Sequence, residues 1–275
     1  KLPKVLMLSG KKGSGKSTLL NHLMFFIFDK ENYNEKTYEF DTESIFYNQF
    51  ISNTFSNIIN LSGVDFKNTK IEDIRNLKIK IFQTSIINKP RFIFFDDVEL
   101  FNNNSLNALL KIIEEPTKKN YFILINNESK PLLETIKSRC LEIKLILNKK
   151  KQYSIIESLV KKFNINLKLD LNETDLTPGQ FIKFNYIFVQ NKIFVGKDLL
   201  RNIGILLNMY KKDKDPIFIN MISFLTDDYY KNNKSLSSSE IVEYKRFIFE
   251  NINKFFLYNL NQNALLNNIN NKING

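Results

Sequence analysis

Cysteine is almost missing from this chain: among 275 residues only Cys140 is one. A lone thiol excludes an internal disulfide and any zinc site built on several cysteines, and it suits a reducing cytosol. Long apolar runs are missing too. None approaches the ~18 residues of a membrane span, so no membrane partner is expected. No secretory signal pattern opens the chain, and the expected location is cytoplasmic. The sequence starts at Lys1 rather than Met, so native residues are expected to precede it. Histidine occurs once, as His22, with no partner nearby in sequence, and is read as structural. Arginine is scarce, with five (positions 75, 91, 139, 201 and 246) against 35 lysines.

What is present suits a folded protein of two or three small domains. Hydrophobic residues make up 43% of the chain, enough for a sizeable core. The net charge is +11, and it is spread along the sequence rather than blocked. Such charge permits contact with nucleic acid. Compositional drift toward Lys, Asn, Ile and Phe explains it equally well.

Residues 10–17 read Gly10-Lys-Lys-Gly-Ser-Gly-Lys-Ser17, a full G-x-x-x-x-G-K-[ST] loop. An apolar run, Val5 to Leu8, precedes it, and a helix-like run, Thr18 to Phe28, follows. Gly10, Gly13 and Gly15 let the backbone curl so that its N–H groups, including that of Ser14, point inward. The helix adds its positive N-terminal end. Lys16 is placed to reach outer phosphates, Ser17 to bind Mg2+, and Thr18 completes the phosphate-binding set.

Apolar strands alternate with helical stretches through residues 1–147, which predicts an α/β layer with a parallel sheet. Strands are expected at Val5–Leu8, Phe92–Phe95, Phe122–Ile125 and Leu141–Leu145, the last three buried, and at Tyr38–Phe40. Ile71–Thr84 has helical spacing. A helix over Ser105–Glu115 is expected to be capped by Asn104 or Ser105 and stopped by Pro116. The basic stretch Asn148–Gln152 marks a boundary. Helices then follow at Tyr153–Phe163 and Gln180–Val189, with Thr177-Pro-Gly179 as a turn between elements. From Leu199 onward the pattern is mostly helical, with a loop leading to a helix cap at Ser235–Glu240. The Asn-rich tail from Asn267 is expected to fray.

Phe92-Ile-Phe-Phe-Asp-Asp-Val-Glu99 is an apolar strand ending in carboxylates. After a phosphate loop, this is the second half of a nucleoside triphosphate site. Asp96 is placed to hold Mg2+ and Asp97 to polarise water. A further strand ends in Asn126 and Asn127. Either amide could orient the attacking water, and the sequence does not separate them. In a lysine-rich chain, Arg139 of Ser138-Arg-Cys140 points to a need for the planar, always-charged guanidinium fork. Reaching a neighbour's γ-phosphate is such a need; a surface arginine without that duty is the alternative. Cys140 is read as a small buried hydrophobe, and Arg75 as part of a solvated helix face.

Two blocks, Leu106-Asn-Ala-Leu-Leu-Lys-Ile-Ile-Glu-Glu-Pro116 and Leu133-Glu-Thr-Ile-Lys-Ser-Arg-Cys140, resemble the clamp-loader branch of the AAA+ ATPases. In bacteria these are subunits of the DNA polymerase III clamp loader. The resemblance covers roughly residues 1–200. It implies three parts: a P-loop nucleotide-binding domain (1–147), a small helical lid (148–196) and an all-α collar (197–275) that assembles a ring. It also implies ATP with Mg2+ as ligands and Arg139 as a trans arginine finger. The implied partners are motor (gamma/tau) and delta subunits, a sliding clamp, and primer–template DNA bound without sequence preference.

Departures narrow the resemblance. Motor subunits carry a four-cysteine zinc module after the phosphate loop, and this chain has none. Their lid also bears a second arginine sensor. The matching stretch here is Leu176-Thr-Pro-Gly-Gln180, with Gly179 in the arginine's place. This resembles the delta-prime branch. Asp96-Asp97 replaces the usual Asp-Glu, and the shorter Asp97 predicts nucleotide binding with slow or no hydrolysis. The competing readings are a motor subunit and an autonomous P-loop ATPase or kinase. Residues 148–196 contain no arginine, which counts against a kinase lid.

Overall fold

Apolar residues alternate between the two faces of a parallel sheet, and that alternation builds two cores. The computed structural model describes residues 2–63, 81, 89–171, 174–231 and 236–274. In chain order its elements are β1 (Val5–Ser9), α1 (Lys16–Phe28), β2 (Tyr33–Asn34), β3 (Glu39–Phe40), α2 (Ile45–Ile51), β4 (Ile58–Ser62), β5 (Arg91–Asp96), α3 (Asn103–Glu114), β6 (Asn120–Asn126), α4 (Glu134–Lys137) and β7 (Leu141–Lys144). Helices α5 (Lys149–Phe163), α6 (Pro178–Gln190), α7 (Leu199–Asp213), α8 (Ile217–Lys231), α9 (Ser238–Tyr258) and α10 (Gln262–Asn274) follow. The chain divides into two compact units, Lys1–Ser154 with Leu176–Gln180, and Ile155–Asp175 with Phe181–Gly275.

In the first unit the sheet order is β4-β5-β6-β1-β7, all parallel. Val5, Met7, Ile93, Phe95, Phe122 and Leu124 face one core, which α3 and α4 close with Leu106, Leu109, Ile112, Ile113 and Ile136. Leu6, Leu8, Phe92, Phe94, Ile123 and Ile125 face the other, closed by Leu20, Met24 and Phe25 of α1 and Phe46 of α2. A period of two therefore feeds both cores, as central parallel strands require. Each such side chain contributes roughly 1.5–3 kcal/mol by leaving water.

The short antiparallel pair β2–β3 stands apart from this sheet. The strand expected at residues 38–40 is thus present from Glu39, as a hairpin arm and not as part of the parallel sheet. Rings hold it down: Phe40 stacks on Phe25 at 4.3 Å, and Phe25 meets Phe46 edge-on at 5.0 Å. His22 packs among Phe40, Tyr33 and Tyr38, a structural setting. β7 is the sheet's edge, so Leu141 and Ile143 are exposed rather than buried.

The second unit is helical. α7 packs on α8 and α10, and α9 on α10. Asn185 accepts the backbone N–H of Lys168 (2.7 Å) and donates to the carbonyl of Asn166 (2.7 Å), pinning the loop before α6. Ser237 and Glu240 form a reciprocal capping box at the start of α9. Pro178 and Gly179 open α6 instead of forming a separate turn, which suits proline's fixed φ at a first helical position. The Asn-rich tail is helical to Asn274, because Leu265 and Ile269 are buried beneath it. The segment 71–84 lies outside the described residues except for Ile81, which is buried.

Helix α3 begins earlier than its polarity suggests. The Asn102 side chain accepts the N–H of Ser105 at 2.8 Å, which makes Asn102 the cap. Asn102→Ala should therefore cost about 1 kcal/mol of stability, and Asn104→Ala less than about 0.5 kcal/mol, by urea unfolding. Equal losses would contradict this assignment.

Candidate nucleotide site

The carboxyl ends of β1, β5 and β6 meet at one edge of the sheet, where open parallel sheets bind ligands. Ser9 pairs with Asn126, and the N–H of Gly10 donates to the Asn126 carbonyl at 3.1 Å. The phosphate loop therefore leaves β1 fixed against the end of β6. Gly13 and Gly15 adopt φ of 83° and 99°, a region that L side chains enter only with strain. Lys16 is buried and donates to the carbonyls of Gly10 (2.5 Å) and Lys11 (3.0 Å). Burial lowers its pKa, while the carboxylates of Glu99, Asp96, Glu128 and Asp97 push it back up. The Ser14 N–H does not point inward as its loop position suggests but donates to the Lys11 carbonyl at 3.1 Å; its buried Oγ has no hydrogen-bond partner among the described residues. Ser17 and Thr18 are exposed on the first turn of α1.

A cradle of this kind fits a phosphate. Among the described residues the Ser14 hydroxyl lacks an acceptor and the Lys16 ammonium is occupied only by loop carbonyls. Asp96 at the end of β5 fits a hard cation such as Mg2+. Its pKa is raised, first by burial and then by the neighbouring Asp97 carboxylate, and a bound cation would offset both costs. Among the described residues, no group of three or more His, Cys, Asp or Glu side chains is arranged to hold a metal by itself.

The two amides that the sequence left unresolved separate here. Asn126 is buried, lies 3.4 Å from Ser9 Oγ, and accepts the N–H of Glu128. Asn127 reaches the acidic turn, and its Nδ2 donates to Asp97 Oδ1 at 2.6 Å. Asp97 takes φ of 50°, and Lys12 Nζ lies 3.6 Å from its other oxygen. Lys12 had no role in the sequence reading.

Arg139 lies away from this edge, after α4. Its Nε donates to Glu114 Oε1 at 2.8 Å and its Nη1 to the Thr135 carbonyl at 2.9 Å. Nη2 has no partner among the described residues. The pair is partly exposed and contributes only about 0–1 kcal/mol to stability. Its consequence is orientation: the Glu-Glu-Pro end of α3 and the Ser-Arg-Cys turn form one structure. Sequence alone gave Glu114 no such part. Cys140 is half-buried and donates to the Ile136 carbonyl; burial pushes its thiol up to about 11, so it stays protonated at neutral pH.

Gly179 sits directly on the phosphate loop. Its N–H donates to the Gly13 carbonyl at 2.9 Å, and the Thr177 hydroxyl donates to the Lys12 carbonyl at 2.6 Å. A Cβ at position 179 would stand 2.9 Å from the Gly13 Cα, so an arginine there would require the loop to move.

Against known families, residues 1–149 match the family described as DNA polymerase III, delta subunit. The chain belongs to that family. It is 30% identical over 210 residues to DNA polymerase III subunit delta' of Buchnera aphidicola subsp. Acyrthosiphon pisum, covering 71% of this chain and 61% of that one. DNA polymerase III subunit gamma of the same organism is 27% identical over 161 residues, 58% of this chain and 43% of the relative. The chain thus spans less than two thirds of these relatives. A crystal structure of a DNA polymerase III gamma subunit-related protein from Thermotoga maritima MSB8 superposes with a TM-score of 0.52 at 17% identity. It covers 96% of this chain and 91% of its own, and the likeness is one of fold. Among the described residues no helix is long and apolar enough to cross a membrane.

Gly63, after β4, is a further residue the sequence reading passed over; a glycine closing the apolar run Ile58–Leu61 was the available signal. A Cβ there would collide with the Asp97 carbonyl and stand 3.2 Å from Leu100 Cβ. The acidic turn needs that approach. Gly63→Ala should destabilise the protein by about 1–3 kcal/mol through overpacking, read by thermal or urea unfolding. Unchanged stability would show that the turn has room to shift.

Proposed function

We propose that this chain is a delta-prime-like subunit of the replicative DNA polymerase III clamp loader, an assembly that loads a sliding clamp onto primed DNA at the expense of ATP. Its parts are a P-loop domain (1–147), a helical lid (148–196) and a collar (197–275). The observation that carries the reading is Arg139. Its guanidinium is presented at a partly exposed rim by Glu114, with Nη2 left over, and the two blocks that mark the clamp-loader resemblance are thereby joined. The partners are the motor (gamma/tau) and delta subunits, the clamp, and primer–template DNA. Contacts to DNA phosphates would be sequence-independent and salt-sensitive. Exposed Val242, Leu257 and Tyr258 on α9 offer apolar surface for collar assembly.

Bound MgATP would supply a γ-phosphoryl group whose hydrolysis times clamp release. Gly13 and Gly15 would hold phosphates through backbone N–H groups and Ser14 through its hydroxyl, while Gly10, its N–H given to Asn126, would anchor the loop, with Lys16 turning from its loop carbonyls to neutralise the phosphates. Ser17 and Asp96 would hold Mg2+, and Thr18 would extend the phosphate contacts. Asp97 would polarise water and Asn127 orient it. Asp97 is a methylene shorter than a glutamate and is already engaged by Asn127 and Lys12, which supports slow turnover at this chain's own site. Arg139 would neutralise developing charge on the neighbour's γ-phosphate. The intact phosphate loop favours a motor-type subunit as the second reading. Gly179 on the loop and the ring-packed hairpin after α1, in place of a cysteine module, weigh against it.

The test is the clamp- and DNA-stimulated ATPase of a loader reconstituted with motor and delta subunits. With Arg139→Ala, assembly should persist while the served site loses about 10³–10⁵ in rate. An unchanged rate would show that Arg139 serves no neighbour, and failure of the intact chain to assemble would favour an autonomous enzyme.

A further inference from the structure

Glu99 is a buried carboxylate, 5% exposed, two residues beyond Asp97 in the turn that follows β5. Burying a carboxylate is costly unless donors surround it. Among the described residues its donors all come from the loop after β6. Asn127 gives its backbone N–H to Oε2 (3.2 Å), and Ser129 gives its hydroxyl (2.7 Å) and its N–H (3.4 Å) to Oε1. The turn after β5 and the loop after β6 are thus tied at two places: Glu99 to the backbone and hydroxyl of 127–129, and Asp97 to the Asn127 side chain.

The two ties differ in kind. The Asp97–Asn127 bond uses the amide side chain, the group that a γ-phosphate would recruit. The Glu99 tie uses the backbone N–H of the same residue. If the side chain leaves Asp97, Glu99 still fixes the position from which it swings. A side-chain rotation is then enough, with no loop displacement to order, and less entropy is lost on contact. We infer that Glu99 is a positioning residue that anchors Asn127 so that its amide can exchange Asp97 for a terminal phosphate, making the site discriminate a nucleoside triphosphate from a diphosphate. This rests on the nucleotide-site reading above. Ser129 serves the same anchor.

The experiment uses the full chain and measures affinity, with Mg2+, for fluorescent ADP and for a fluorescent non-hydrolysable ATP analogue. Glu99→Gln should leave ADP affinity within about twofold and weaken the ATP analogue about tenfold, the scale of one hydrogen bond. Asn127→Ala should do the same, and the double variant should be no worse than either. Ser129→Ala, a smaller change that keeps the carboxylate, should shift the ratio the same way and stands in if Glu99→Gln does not fold. A merely structural carboxylate would lower the melting temperature without moving the triphosphate-to-diphosphate ratio. An unchanged ratio in both Glu99→Gln and Ser129→Ala, or losses that multiply in the double variant, would overturn the inference while nucleotide binding stands. An intact chain that binds neither nucleotide would overturn the nucleotide reading, and this inference with it.

Discussion

Gly10 gives its N–H to the Asn126 carbonyl, and the site's geometry follows from that bond. It continues the β1–β6 ladder one step past the strand, beyond the Ser9–Asn126 pair. The phosphate loop must then start beside the end of β6, so Lys16, Asn127 and the acidic turn share one edge. The ladder itself is held by side chains that leave water on both faces: Met7, Ile93 and Leu124 on one, Leu8 and Ile123 on the other. Packing therefore sets the position of polar groups that could not fix themselves.

Electrostatics then sets the character of that edge. Four carboxylates oppose one buried ammonium, and Asp96 is made harder to ionise by burial and by Asp97. Such a cluster gains most from an added cation and from acceptors for Lys16 and Ser14, which a magnesium-bound phosphate chain provides. Arg139 is organised differently. It stands at a surface, paired with Glu114, where the pair adds little to stability and fixes direction. One region is arranged to receive charge and the other to present it.

The parts of this architecture that repeat a strong pattern were legible in the sequence. Apolar runs gave β1, β5 and β6, and glycine spacing gave the loop. The two family blocks gave α3 and the turn at Arg139. Features decided by tertiary contact were not legible. β4 has only five residues and mixes Asn60 into its apolar run, so no period declared it. The stretch after α1 folds as a hairpin because Phe40 finds Phe25, a contact no local signal announces. The tail composition suggests fraying, yet burial of Ile269 orders it. Asn126 and Asn127 are chemically identical; only the alternation of β6 turns one into the strand end and sends the other to Asp97. Glu99 and Glu114 read as ordinary acids until their donors are known.

The central claim is that the edge shared by β1, β5 and β6 holds a magnesium nucleotide. Isothermal titration of MgATP into the intact chain and into Lys16→Ala tests it most directly. The account predicts saturable one-to-one binding by the intact chain and loss of at least about tenfold in affinity when the buried ammonium, a charged partner for phosphate, is removed. Equal binding by both proteins, or no binding by a folded intact chain, would contradict it.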